Sequence, residues 1–192
     1  MKKRTSLLLA LPFALLACNN EGKDSVEKAD SANEAKLDSS STSKPTISTD
    51  AESTDFLVKA ANGGMAEVQS SELAGQKATN AKVKDFAMMM VHDHTAANDQ
   101  VKSLAAQRNV TLPATVSDDK KNSLDDLSKK TGRDFDKAYM KMMVDDHEKT
   151  ISLFKDASGK VNDAEVKAFV DNTIPKLEAH LDSAKAVQKL LK

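Results

Sequence analysis

The chain has 192 residues, enough for one domain of ordinary size, with 30 % charged residues, 4 % aromatic residues and no Trp. A formal net charge of −1, with no stripe of Lys and Arg on any segment, excludes a nucleic-acid footprint, which needs clustered cations. Ala, Lys, Asp, Val, Leu and Met dominate, a mixture that forms helix and lacks the β-branched and aromatic runs of a β-protein.

The first segment reads as a targeting signal. Lys2, Lys3 and Arg4 form a positive head, and residues 5–16 form an apolar stretch too short to span a bilayer. It ends in Leu15-Leu16-Ala17-Cys18, and Cys18 is the only cysteine, so no disulfide forms within the chain. This order resembles a bacterial lipobox. The resemblance implies removal of residues 1–17, a thioether-linked diacylglycerol on Cys18 and acylation of the new N-terminus; several acyl chains anchor stably where one does not. An ordinary signal peptide with a chance cysteine is the alternative. Lipoproteins of this kind carry Asp after the cysteine for inner-membrane retention, and Asn19 stands there instead, which points to the outer membrane. The expectation is a cell-envelope lipoprotein whose partner is the membrane, with its domain in the periplasm or at the cell surface. Protein partners are not indicated.

Residues 18–50 are rich in Ser, Thr, Asp, Glu, Lys, Asn and Ala and carry few large apolar side chains. Such a segment does not bury enough surface to offset its ordering entropy and reads as a disordered tether, with a reach of about 30 Å. From residue 51 the apolar period changes to 3.6. A first long helix is predicted over 53–77, and a second opens at Asn80 and runs to about residue 108. Leu112-Pro113 sits in the loop that follows. Ser117 caps a short helix ending before Gly132, a third long helix covers 133–157, and Asn162 caps a fourth that runs to the end. Residues 51–192 therefore read as an all-α domain, a four-helix bundle with a short extra helix in its middle connection. That helix fits the crossover of a ferritin-like fold; a plain up-down-up-down bundle is the alternative.

Two hexamers, Met89–His94 (MMVHDH) and Met142–His147 (MMVDDH), differ at one position. In the second long helix Val83, Ala87, Met90, His94, Ala97, Val101 and Leu104 alternate steps of four and three. Met140, Val144, His147, Ile151 and Phe154 do so in the third, and Val166, Val170, Thr173, Leu177, His180 and Ala184 in the fourth. His94, His147 and His180 thus fall in core phase, and His92 does not. In the first helix Glu67 shares the phase of Phe56, Ala60, Gly63, Ser70 and Ala74. A buried Glu needs a partner or stays protonated. A helix rises about 1.5 Å per residue, so Glu67, His94 and His147 come to roughly 18–22 Å from their turns, near mid-height. His180 comes to roughly 30 Å, one or two turns away.

Each hexamer also places an aspartate, Asp93 or Asp146, beside its histidine, where it can reach a shared cation or orient a ring on the next helix. Glu67, His94, His147, Asp93, Asp146 and, further off, His180 form a candidate nitrogen and oxygen ligand set for a transition metal: zinc, iron or copper. The competing reading is a set of core histidines hydrogen-bonded internally. The methionines around the hexamers are soft ligands for Cu(I) in one reading and core fillers in the other. Gly63-Gly64 costs the first helix about 1 kcal/mol per residue relative to Ala.

Several stretches together resemble one family. They are Phe56 with Ala60-Ala61-Asn62-Gly63-Gly64-Met65-Ala66-Glu67-Val68; Val83–Ala87 leading to Val91-His92-Asp93-His94 and Asn98; Phe135–Tyr139 leading to Asp145-Asp146-His147; and Pro175-Lys176-Leu177 leading to His180-Leu181. In this order, from about residue 50 to the end, they resemble the domain-of-unknown-function 4142 family. The resemblance implies a ferritin-like helical bundle, exported, often at the outer membrane, and no established reaction. Di-iron bundles carry Glu-x-x-His on two helices. Here Val91, Val144 and Leu177 stand three residues before the histidines, which argues against ferroxidase or oxygenase chemistry. No Ser-His-Asp elbow, nucleotide-binding glycine motif or redox cysteine pair is visible, so a hydrolase or oxidoreductase is the third reading, and the chain leans toward a binding protein. The alternative is a non-catalytic interaction or stress-related envelope protein.

Overall fold

The computed structural model describes residues 22–38 and 48–191; the expected signal peptide, Cys18 and residues 39–47 lie outside them. The described residues form six helices and no strand: α1 (Ser25–Asp38), α2 (Ala51–Lys77), α3 (Ala81–Gln107), α4 (Asp118–Ser128), α5 (Gly132–Lys160) and α6 (Ala164–Leu190). The protein is all-α.

The helix ends follow from local chemistry. Asp50 caps α2 by accepting from the Ser53 N–H at 2.9 Å, and Asn80 caps α3 by accepting from the Lys82 N–H at 2.8 Å. The cap of α6 is Asp163 and not the expected Asn162. Its carboxylate accepts from the N–H groups of Glu165 and Val166 and also receives Arg108 Nε at 2.8 Å, a partner that appears only in three dimensions. α3 closes with a Schellman motif. Asn109 takes φ +56°, and the Val110 N–H returns to the Ala105 carbonyl at 2.9 Å.

α2 packs along α3 and α5 along α6; α2 also meets α5, and α3 meets α6. Two polar clamps fix how these pairs face each other. At one end the buried Asp136, near the start of α5, accepts from the N–H groups of Thr79 and Asn80 in the α2–α3 turn, both at 3.0 Å. At the other end Arg108, just past α3, holds Asp163 at the start of α6 and Glu165 at 2.8 Å. α5 therefore begins at the end where α2 and α3 turn, and residues 108–131 cross from one end to the other. α4 lies in this crossover, against α2 and α5.

The interior divides into two apolar clusters. One holds Phe56, Val101, Ile151, Phe154, Phe169 and Leu177, with Phe56 and Phe154 edge to face at 4.9 Å. The other holds Ala74, Phe86, Met90, Tyr139, Met143 and Ala184. On every long helix buried polar residues separate the first cluster from the second, and each such stretch includes one of Glu67, His94, His147 and His180.

The segment read as a tether departs from that expectation over 25–38, where α1 packs on α2. Its apolar contribution is small, with Ala29 buried and Val26 and Leu37 partly so. Polar contacts supply the rest. Asn33 exchanges two hydrogen bonds with the backbone of Thr111, at 2.9 and 2.7 Å, and Lys36 Nζ donates to the Asn109 carbonyl at 2.8 Å. Composition does not register long-range bonds of this kind.

Candidate metal centre

The four polar positions between the clusters meet in one layer. Glu67 is 3 % exposed, His94 5 %, His147 0 % and His180 4 %, so each must find partners inside the protein. The ring centroids of His94, His147 and His180 lie 5.6, 5.3 and 5.7 Å apart, close to an equilateral triangle. One ring nitrogen of each lies within 4.8 Å of the others.

Each imidazole is held from behind by an oxygen. His94 Nδ1 stands 2.8 Å from Glu67 Oε2, His147 Nδ1 stands 2.8 Å from the Met143 carbonyl, and His180 Nε2 stands 2.9 Å from Asp93 Oδ2. A carboxylate or a carbonyl only accepts, so in each ring that nitrogen carries the proton. The other nitrogen of a neutral ring is then a bare lone pair. Those nitrogens, Nε2 of His94, Nε2 of His147 and Nδ1 of His180, are buried and have no hydrogen-bond partner. Clustered, oxygen-backed imidazoles are the usual arrangement of metal-binding histidines, where the rear partner fixes tautomer and orientation.

Charge follows the same geometry. Burial alone would raise the Glu67 carboxyl, but the charge and hydrogen bond of His94, followed by the charge of His147, hold it down at about 2. Burial disfavours the charged form of His94, and Glu67 outweighs it, so His94 lies above its ordinary value. Burial, with the neighbouring His94 and His147, pushes His180 below its ordinary value despite Asp93.

The structure thus brings together Glu67, His94, His147 and His180, with Asp93 behind His180. Two expected positions shift role and one leaves the group. Glu67 stands behind the His94 ring, its Oε1 3.7 Å from His147 Nδ1, and not among the clustered imidazoles. His180 stands in the triangle itself; its expected depth was too great because α6 starts only at Ala164, which brings His180 about one turn closer to that end. Asp146 lies outside the cluster and pairs with Lys120 of α4 at 3.0 Å, since α4 covers that side of α5. His92 is exposed and bonds Asp93 Oδ1 at 2.9 Å.

Asn98 is the residue whose role the sequence did not reveal. A Cβ on Gly64 would come within 1.9 Å of Asn98 Oδ1, so Gly64 is what lets α3 seat this side chain against α2, one turn from His94. The pairing of a helix-interior glycine with an in-phase asparagine was the available signal.

A helical protein with a buried three-histidine cluster is the class this geometry defines. The sequence profile described as domain of unknown function (DUF4142) matches residues 28–187, and the chain belongs to this family. Among solved structures it is similar to one described as CopM in the Cu(II)-bound form, with a TM-score of 0.63 and 17 % sequence identity. That match covers 73 % of this chain and 97 % of the other. No curated protein matches the sequence.

Proposed function

We propose that this protein binds a transition-metal ion through His94, His147 and His180, with copper the first candidate and zinc and iron the others. One observation supports this above all: three buried imidazoles, each with a nitrogen that has no partner, stand together with one ring nitrogen of each within 4.8 Å of the others. With all three rings neutral, a water molecule has two protons and does not serve three lone pairs, whereas a cation satisfies all three at once. Imidazole suits copper, zinc and iron alike, and the likeness to a protein solved with Cu(II) favours copper. Glu67, Asp93 and the Met143 carbonyl would hold the rings, and no cysteine or further carboxylate joins the cluster among the described residues. Three protein ligands leave a fourth position for water or an exogenous ligand.

We read α2, α3, α5 and α6 as a ferritin-like four-helix bundle, on the strength of two hairpins joined by one long crossover. The bundle lacks the Glu-x-x-His pairs of a di-iron site, which fits one ion better than two. We also keep the reading of a lipid-anchored envelope protein, supported by residues 1–18; no described helix is long and apolar enough to cross a membrane. A non-catalytic interaction protein with internally bonded histidines is the second reading. The Glu67–His94 and Asp93–His180 pairs favour it, and the three unpartnered nitrogens do not.

Thermal unfolding with Cu, Zn, Fe, Ni and Mn separates the two. An ion that binds the folded form alone adds about 2.7 kcal/mol when present at 100 times its Kd. The expected result is a rise in Tm with at least one ion, absent in His147→Ala. A Tm unmoved by all five would leave the second reading standing.

A further inference from the structure

The two adjacent glycines of α2 are not equivalent. Each weakens the helix by about 1 kcal/mol relative to Ala. Gly64 is accounted for by Asn98, which a Cβ would strike. Around Gly63 nothing lies within 4 Å of where a Cβ would stand, so packing does not explain it. Gly63 instead lines a cavity of about 40 Å³ walled by α2, α3, α5 and α6, with Lys59, Thr150, Leu153, Glu67 and His94 among its lining residues. That volume admits a few waters and is too small for an organic ligand. On its wall is Glu67, 3 % exposed, whose Oε1 has no hydrogen-bond partner.

The three imidazoles are buried, and an ion bound among them must have crossed the wall of helices. We propose that the cleft between α2 and α5 at Gly63 is the passage by which a metal ion reaches the histidine cluster, with Glu67 Oε1 as its first ligand inside. This rests on the reading of the cluster as a metal site. The carboxylate replaces part of the ion's water shell before the nitrogens take over. Its other oxygen keeps its bond to His94, so the ring need not lose its orientation during transfer. The missing side chain at 63 leaves the opening clear.

A passage alters the barrier between two states and not the states themselves. Stopped-flow mixing of the purified protein with Cu(II), paired with equilibrium dialysis, therefore tests it. In Gly63→Leu, association and dissociation should both slow about tenfold or more while Kd stays within about twofold. Gly75→Leu, on the same helix with nothing within 4 Å of its Cβ and away from the cavity, controls for helix propensity and should keep wild-type rates. Leu153→Ala widens the mouth and should speed both steps, which decides the matter even if Gly63→Leu fails to fold. Wild-type rates in folded Gly63→Leu, or in Leu153→Ala, would overturn the passage and leave the metal site intact. A wild-type protein that takes up no Cu(II) would remove both.

Discussion

At the scale of single residues, Glu67 governs the site without belonging to the clustered imidazoles. Its carboxyl, held at about 2 against an ordinary 4.5, binds fewer protons folded than unfolded. Its stabilisation is therefore present above about pH 4.5 and is lost as the pH falls toward 2. His94 lies above its ordinary 6.5, so its stabilisation is present below pH 6.5 and is lost as the pH rises through its folded value. His180 is lowered and opposes this on the acid side. The pair thus supports the ion-free protein best between about pH 4.5 and 6.5. Metal uptake has the opposite sign at its upper edge, because the ion must displace the His94 proton. The Kd for Cu(II) should fall as the pH rises through the folded value of His94, above 6.5. In Glu67→Gln the lost charge lets His94 drop, so the inflection should move to lower pH while affinity at high pH weakens by about 10–100-fold. Competition titrations across this range measure both; a wild-type affinity independent of pH would exclude His94 as a ligand.

At the scale of elements, the approach of α2 and α3 turns on one contact. Gly64→Ala gains about 1 kcal/mol of helix propensity but drives a methyl group to 1.9 Å from Asn98 Oδ1. Overpacking of this kind costs about 1–3 kcal/mol. Urea unfolding should show Gly64→Ala less stable than wild type, and Asn98→Ala should relieve the loss when combined with it. Additive single and double changes would mean that the two residues do not press on each other. The Asp136 clamp offers a second measurement. Its carboxylate accepts from two N–H groups and from the Thr79 hydroxyl at 2.6 Å. Asp136→Ala removes the buried acceptor of these donors in a part-buried turn and should cost about 1–3 kcal/mol. The periodicity of the long helices was readable because a continuous apolar stripe is a local property. Their pairing was not, since Asp136 and Asn80 lie 56 residues apart and nothing local joins them.

At the scale of the whole molecule, α1 is held by little apolar burial and by hydrogen bonds to the crossover. Amide exchange should therefore open residues 25–38 well below the free energy needed to open α2, α3, α5 and α6. Asn33→Ala removes both bonds to Thr111 and should raise exchange in α1 and around residues 109–111, while Tm of the remaining helices shifts by only a few degrees. Protection of α1 equal to that of the long helices would show that it folds as one unit with them.

The sequence by itself determined the helical class, the core phase of His94, His147 and His180, the matching phase of Glu67 and the place of Gly63-Gly64. All of these follow from spacing along one helix, which the chain carries locally. Only the tertiary structure decided which rings stand together, that Glu67 and Asp93 stand behind rings, and that Asp146 turns to Lys120. It also decided that α1 docks through Asn33. Each of these depends on the rotation and depth of one helix against another, fixed by the distant clamps at Asp136 and Arg108. No window of consecutive residues contains both halves of such a clamp.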